Sequence, residues 1–161
     1  MSEKRLLVSK IKDGTVIDHI DSGRALYVLR ILGITGREKF TIAVVMNVNS
    51  KRMGKKDIVK LEKMELKKEQ VDKIALIAPS ATINIVRDYR VVKKYNVEVP
   101  PIIEGLIRCI NPNCITNQEH EPIRSIFYVK SLRPLILVCK YCGEEIHHED
   151  IINQLIGVKT V

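Results

Sequence analysis

The chain holds four cysteines, all in its last third, as Cys109-Ile-Asn-Pro-Asn-Cys114 and Cys139-Lys-Tyr-Cys142. Two short-spaced pairs set apart by a longer stretch are the sequence form of a tetrahedral zinc site with four thiolate ligands. Each short loop can turn both of its sulfurs toward one ion, while the stretch between supplies strands. Four thiolates fill the coordination shell and leave no position for water, so the expected zinc is structural rather than catalytic. Disulfides would need an oxidising compartment. The charged start Ser2-Glu3-Lys4-Arg5 carries no signal-peptide pattern, and a cytoplasmic location is expected.

Other side chains that could do chemistry are sparse. No Gly-rich phosphate loop, nucleophile elbow or zinc motif with an open position occurs, so nothing reads as an enzyme. The histidines are His19, His120, His147 and His148. The last three read as solvated or structural, since four thiolates already complete a metal site. His19 follows Asp18 in an alternating segment and reads first as an ordinary strand edge. Lys55-Lys56-Asp57 with Lys60, and Lys93-Lys94, read first as solvated faces of charged strands. Lysines on two strands could instead converge on a polyphosphate, with Asp18 accepting hydrogen bonds from ribose hydroxyls. Spacing leaves both readings open.

The bulk composition narrows the partners. The 161 residues carry a formal charge of +8. Four thiolates on one Zn²⁺ would bring it to about +6. Such a balance points to an anionic partner: nucleic acid, a nucleotide or an acidic protein surface. Aromatics are only 4% with no Trp, leaving little for single-stranded bases to stack on. No basic helix suggests a major-groove reader. A zinc-ribbon nucleic-acid-binding protein is the competing reading. No apolar run approaches the roughly twenty residues that span a bilayer, so no membrane association is expected.

Elements must position these groups. Arg5 to Ile11 and Thr15 to Ile20 read as strands around a turn at Asp13-Gly14. Asp21 or Ser22 can cap a helix with Ala25, Leu26, Leu29 and Leu32 at helical spacing, ended by Gly33. Phe40 to Val48 reads as a buried strand, Asn49 to Gly54 as a basic turn, and Asp57 to Lys63 as the returning strand. A second helix carries Val71, Ile74, Ala75 and Ala78 on one face and stops at Pro79. Ala81 to Val86 and Arg90 to Val99 are strands. The core order, strand-helix-strand-strand-helix-strand, is the split βαβ arrangement of an α+β fold. Pro100-Pro101 stiffens the chain there, which divides it into residues 1–100 and a zinc module of 101–161. That module should hold strands at Ile126–Lys130 and Leu135–Cys139, and a helix from about Glu149 to Leu155.

Five segments then occur in order: Gly14-Thr15-Val16-Ile17-Asp18-His19-Ile20, Met53-Gly54-Lys55-Lys56-Asp57, Ala78-Pro79-Ser80-Ala81-Thr82-Ile83-Asn84, Asn111-Pro112-Asn113-Cys114-Ile115 and Cys139-Lys140-Tyr141-Cys142. With them the chain resembles the regulatory chain of aspartate carbamoyltransferase over nearly its full length. The resemblance implies a non-catalytic subunit: an N-terminal ferredoxin-like nucleotide-binding domain that pairs with a second regulatory chain, and a C-terminal zinc domain that docks on the catalytic chain. It implies that nucleoside triphosphates (ATP, CTP) shift the enzyme of pyrimidine synthesis between affinity states. By position, Val8, Ile11, Val86 and Tyr89 would line base and ribose. Asp18, Lys60 and Asn84 would engage ribose or base edges. His19, Lys56 and Lys94 would face phosphates, with Val91 beside them. Cys109, Cys114, Cys139 and Cys142 would hold the zinc. The family often shows an acidic and then a small residue where this chain has Ser9-Lys10.

Overall fold

The structure, a computed structural model, describes residues 8–157. The chain divides into two compact units that part after Val97.

In the N-terminal unit the elements run β1 (Gly14–Asp21), α1 (Ala25–Ile31), β2 (Ile42–Ser50), β3 (Gly54–Glu62), α2 (Lys68–Ile77), β4 (Thr82–Arg87) and β5 (Arg90–Asn96). They form one antiparallel sheet in the order β2-β3-β1-β4-β5. The first four strands have the expected split βαβ topology, and β5 extends it by a hairpin. Period-two alternation gives this sheet two different faces. Ile17 stands opposite Val59 and Ile83, all buried, and with Leu61 they form the core side. Helix α1 packs against β2, β3 and α2 on that side. Val16 stands opposite Lys60 and Asn84 on the other side.

Several local expectations need correction. Val8 to Ile11 is not a strand, and the rest of that segment lies outside the described residues. The apolar run after Phe40 is not a buried strand: β2 lies at the sheet edge, and none of its residues is fully buried. Neither Asp21 nor Ser22 caps α1, whose N-cap is Arg24 with no side-chain cap bond. Helix α1 buries Ala25 and Val28, while Leu26 is 58% exposed.

The first turn of α1 is satisfied from across the sheet. Asp57 follows Lys55 and Lys56 in the sequence, yet it is fully buried. One carboxylate oxygen accepts from the backbone N–H of Gly23 at 2.8 Å and of Ala25 at 3.0 Å. The other accepts from the backbone N–H of Asn47 at 2.8 Å. Asn47 and His19 both have positive φ, and both stand at bulges where β2 and β1 lose register with β3. Asp57 thus ties one bulge to the helix start. Asp57→Ala would strand three amides and should cost about 3 kcal/mol or more. Asp57→Asn should cost nearly as much, because its NH₂ would face an N–H. Urea unfolding of the full chain checks this, with the N-terminal transition alone moving to lower urea.

The C-terminal unit has β6 (Ile102–Glu104), β7 (Ile126–Leu132), β8 (Leu135–Cys139), β9 (Glu145–His147) and α3 (His148–Ile156). Its sheet runs β6-β7-β8-β9, antiparallel throughout. Besides Cys109, Cys114 and Cys139, the buried residues are Ile103, Ile107, Phe127, Leu135, Leu137 and Ile146, with Ile151, Ile152 and Ile156 from α3. This is a small core, of the size that ordinarily needs a staple. Sequence pattern gave no sign of β6 or β9, each only three residues long.

Candidate functional site

On the face of the first sheet opposite Ile17 and Leu61, strand register sorts residues into rows. At the Gly14 end of β1 stand Val86 and, beyond it, Val91. At Val16 stand Lys60 on one side, and Asn84 then Lys94 on the other. At Asp18 stands Thr82, and the bulge then presents His19. About 14 Å of strand therefore runs from apolar side chains, through amide and ammonium groups, to a carboxylate and imidazole.

A groove of about 450 Å³ follows these rows, lined by Lys10, Ile11, Val16, Asp18, Ile58, Lys60, Asn84, Val86, Tyr89 and Val91. Its volume falls in the range of small-molecule sites. A neighbouring hollow shares Lys10, Ile11 and Tyr89 and includes Val8. The structure thus brings Ile11, Asp18, Lys60, Asn84, Val86, Tyr89 and Val91 to one groove. His19, Lys56 and Lys94 flank it. Lys10, Val16 and Ile58 belong to the lining, although their types alone carried no signal.

The end wall is made by a turn. Asp88 and Tyr89 both have positive φ, at 47° and 65°, and join β4 to β5. Their amides donate to Asp13 Oδ1 at 3.0 Å and to the Lys12 carbonyl at 2.9 Å, which docks the hairpin tip on the segment before β1. A bulky residue rarely accepts that backbone conformation, and such strain gathers at functional sites.

The charged end is a network. Lys56 Nζ pairs with Asp18 Oδ1 at 2.9 Å, and the His19 backbone N–H donates to the same oxygen at 2.6 Å. His19 Nδ1 lies 3.3 Å from Thr82 Oγ1. Burial holds the His19 pKa below its ordinary value; Asp18 opposes this, and the cations Lys56, Arg52 and Lys94 add to it. Arg52 stands in the basic turn before Gly54, yet it joins this field. Lys60 Nζ donates to the carbonyls of Val8 and Ser9 at 3.3 and 3.2 Å. Its pKa is lowered by burial, with Asp18 opposing and Lys10 adding to the effect. Four cations thus surround one imidazole and one carboxylate, an arrangement that favours a multiply charged anion.

In the C-terminal unit the sulfurs of Cys109, Cys114, Cys139 and Cys142 all lie within 4.8 Å of one another. Cys109 Sγ is 3.5 Å from Cys142 Sγ, and Cys114 Sγ is 3.7 Å from Cys139 Sγ. A disulfide would need about 2.05 Å. Four sulfurs at about 2.3 Å from one zinc stand about 3.8 Å apart, so the cluster fits a tetrahedral ion. Burial pushes the Cys109 and Cys139 thiols up. Burial acts the same way on Cys114, but hydrogen bonds from Thr116 and from the thiols of Cys139 and Cys142 bring it to about 7. Crowded sulfurs resist joint ionisation until a cation replaces their protons.

Backbone turns aim the ligands. Gly143, with φ of 78°, lets its N–H reach the Cys139 carbonyl at 3.0 Å. Asn117 Nδ2 donates to the carbonyls of Cys109 at 2.8 Å and Asn111 at 2.7 Å, pinning the first loop. Sequence reasoning missed Asn117, because a side chain that holds a loop from outside its motif leaves no spacing signal. His147 ends β9 and His148 opens α3, and neither belongs to the cluster.

Residues 6–98 match the family described as aspartate carbamoyltransferase regulatory chain, allosteric domain. Residues 101–152 match the same chain's metal binding domain. The chain belongs to the aspartate carbamoyltransferase regulatory chain family. Relatives of that name include one from Thermofilum pendens, 59% identical over 155 residues that cover 96% of this chain and 98% of the relative. Another, from Korarchaeum cryptofilum, is 57% identical over 156 residues, covering 97% and 99%. A third, from Hyperthermus butylicus, is 59% identical over 150 residues, covering 93% and 94%. Membership makes this a regulatory and not a catalytic chain. The groove lies within the stretch matching the allosteric domain, and the cysteine cluster within the stretch matching the metal binding domain. No helix among the described residues is long and apolar enough to cross a membrane.

Proposed function

We propose that the chain binds nucleoside triphosphates in the sheet-face groove and passes their occupancy, through a zinc-stapled C-terminal domain, to catalytic chains of aspartate carbamoyltransferase. The observation that carries this reading is the ordered change along β1 from apolar wall to cationic end. Val8, Ile11, Val86 and Tyr89 receive the base and ribose. Asp18, Lys60 and Asn84 bond ribose or base edges. His19, Lys56 and Lys94 receive phosphates beside Val91, with Arg52 adding to their field. Cys109, Cys114, Cys139 and Cys142 hold one Zn²⁺, which closes the small core of that domain and supplies no chemistry of its own. Residues 1–100 are the allosteric domain and 101–161 the domain that meets the catalytic chain, in the cytoplasm. The open edges of β2 and β5 offer strands for pairing with a second regulatory chain.

Regulation requires that a nucleotide bind one state of the assembly more tightly than the other. Typical couplings are about 1–3 kcal/mol, within reach of a few charge-assisted contacts.

His19 gives the reading a pH signature. An imidazole held below 6.5 in the free chain is neutral near pH 7, and phosphates beside it would favour protonation. Nucleotide binding should take up a proton, so affinity should strengthen as pH falls from about 8 to 6. Calorimetric titration of ATP into the full chain and into His19→Gln tests this; the difference isolates His19 from the nucleotide's own titration. Identical profiles would remove His19 from the site. For folding the sign is opposite. The lowered pKa contributes stability above 6.5 that is lost as pH falls through the folded-state value.

A further inference from the structure

A separate polar cavity of about 310 Å³ lies in the C-terminal unit, bordered by Arg108 and Arg124. Its other polar lining is Thr116, Asn117, Gln118 and Ser125, with no carboxylate among the described residues. Most of these groups already have partners. The Asn117 amide N–H donates to the Cys109 and Asn111 carbonyls, and the Gln118 amide N–H to those of Pro112 and Cys114. The Ser125 hydroxyl donates to the Ile107 carbonyl, and the Thr116 hydroxyl meets Cys114 Sγ. The two guanidinium groups are different. Among the described residues neither makes a side-chain hydrogen bond or an ion pair, whereas Arg24 pairs with Asp21 and Arg87 with Glu65.

Both arginines are held from behind. The Arg108 backbone is clamped by Gln154, whose Oε1 accepts from its N–H at 2.7 Å and whose Nε2 donates to its carbonyl at 2.8 Å. The Arg124 guanidinium lies against Gly105, where an added Cβ would come within 2.4 Å of Nη2. Gly105 has φ of 70° and donates its N–H to the Ser125 carbonyl at 2.8 Å. A planar fork seated over a bare Cα keeps its donors free for a planar or tetrahedral oxyanion.

We propose that Arg108 and Arg124 form an oxyanion-binding pocket in the C-terminal unit, independent of the sheet-face groove. Two arginines with unpaired guanidiniums, bordering one cavity with no carboxylate among the described residues, select a carboxylate or phosphate group. The group could be free in solution or carried as an acidic side chain of a catalytic chain, and the two sources separate experimentally.

In the first arm, inorganic phosphate is titrated into the metal-loaded full chain at constant ionic strength, while arginine Nε–Hε resonances are followed by NMR. A free oxyanion predicts that the Arg108 and Arg124 signals move together and saturate with Kd of about 1–10 mM. Arg108→Gln/Arg124→Gln would then abolish the response while metal content stays unchanged. In the second arm, association of that variant with the catalytic chain is measured. A partner carboxylate predicts no phosphate response, affinity weakened at least about tenfold and a shallower salt dependence. Arg108→Lys/Arg124→Lys should recover only part, and it serves as the second variant where Gln impairs folding. This arm rests on the assembly proposed above; the first does not, so failure of the wild-type chains to associate would strike that assembly and leave the phosphate arm to decide. No phosphate response together with unchanged association would overturn the pocket.

Discussion

Cys139→Ser should leave residues 98–161 without metal and without a fold, while the unit before them stays intact. Cys139 is buried at the end of β8, opposite Phe127, and its sulfur touches that of Cys114. A structural zinc contributes on the order of 10–16 kcal/mol to a domain whose own core supplies only about 3–5 kcal/mol. Losing one ligand removes most of that difference. Metal analysis should show loss of the bound ion. Limited proteolysis should clip the chain after Val97 and leave a resistant N-terminal fragment. Chelation of the unsubstituted chain should do the same and abolish association with the catalytic chain, because the metal shapes the loops at Cys109 and Cys139. A chelated chain that kept its C-terminal fold and its partner affinity would refute the structural role of the metal.

Lys94→Ala should weaken nucleotide binding about 10- to 100-fold, the usual cost of losing a charge-assisted hydrogen bond. Lys94 lies on the exposed strand β5, in register with Asn84, so its removal leaves no cavity and strands no buried partner. Lys60 is a less clean probe. Its ammonium also holds the Val8 and Ser9 carbonyls, so Lys60→Ala would release the segment beside the groove as well as a cation. Calorimetry of Lys94→Ala with ATP and CTP should show the loss while thermal stability and metal content stay unchanged. Full nucleotide affinity in this variant would remove β5 from the phosphate end.

Much of this was legible in the residues. The cysteine spacing needed no tertiary information, because each short loop carries its own geometry. The split βαβ order followed from β-branched alternation in Thr15 to Ile20 and helical spacing after Val71. What escaped depended on contacts distant in sequence. Asp57 sits among lysines and looks solvated, but its carboxylate serves amides at Gly23, Ala25 and Asn47. The run after Phe40 looks like an interior strand, because periodicity cannot tell an edge from a centre. Short strands such as β6 and β9 exist only through their neighbours. Lys10 reaches the groove, and Arg52 the field at His19, by the path of the chain and not by any motif. The rows at Gly14, Val16 and Asp18 were likewise invisible until register set Lys60, Asn84 and Lys94 on one face.

The central claim, that groove occupancy in this chain controls a catalytic partner, is tested most directly by aspartate saturation curves. These would be measured on the complex of this chain with its catalytic chain, with and without ATP and CTP, beside the same complex built with Lys94→Ala. The account predicts that at least one nucleotide moves the midpoint of the curve with this chain and that neither moves it with Lys94→Ala, although both complexes assemble. Curves that superimpose with and without nucleotide, at concentrations that saturate the groove, would contradict it.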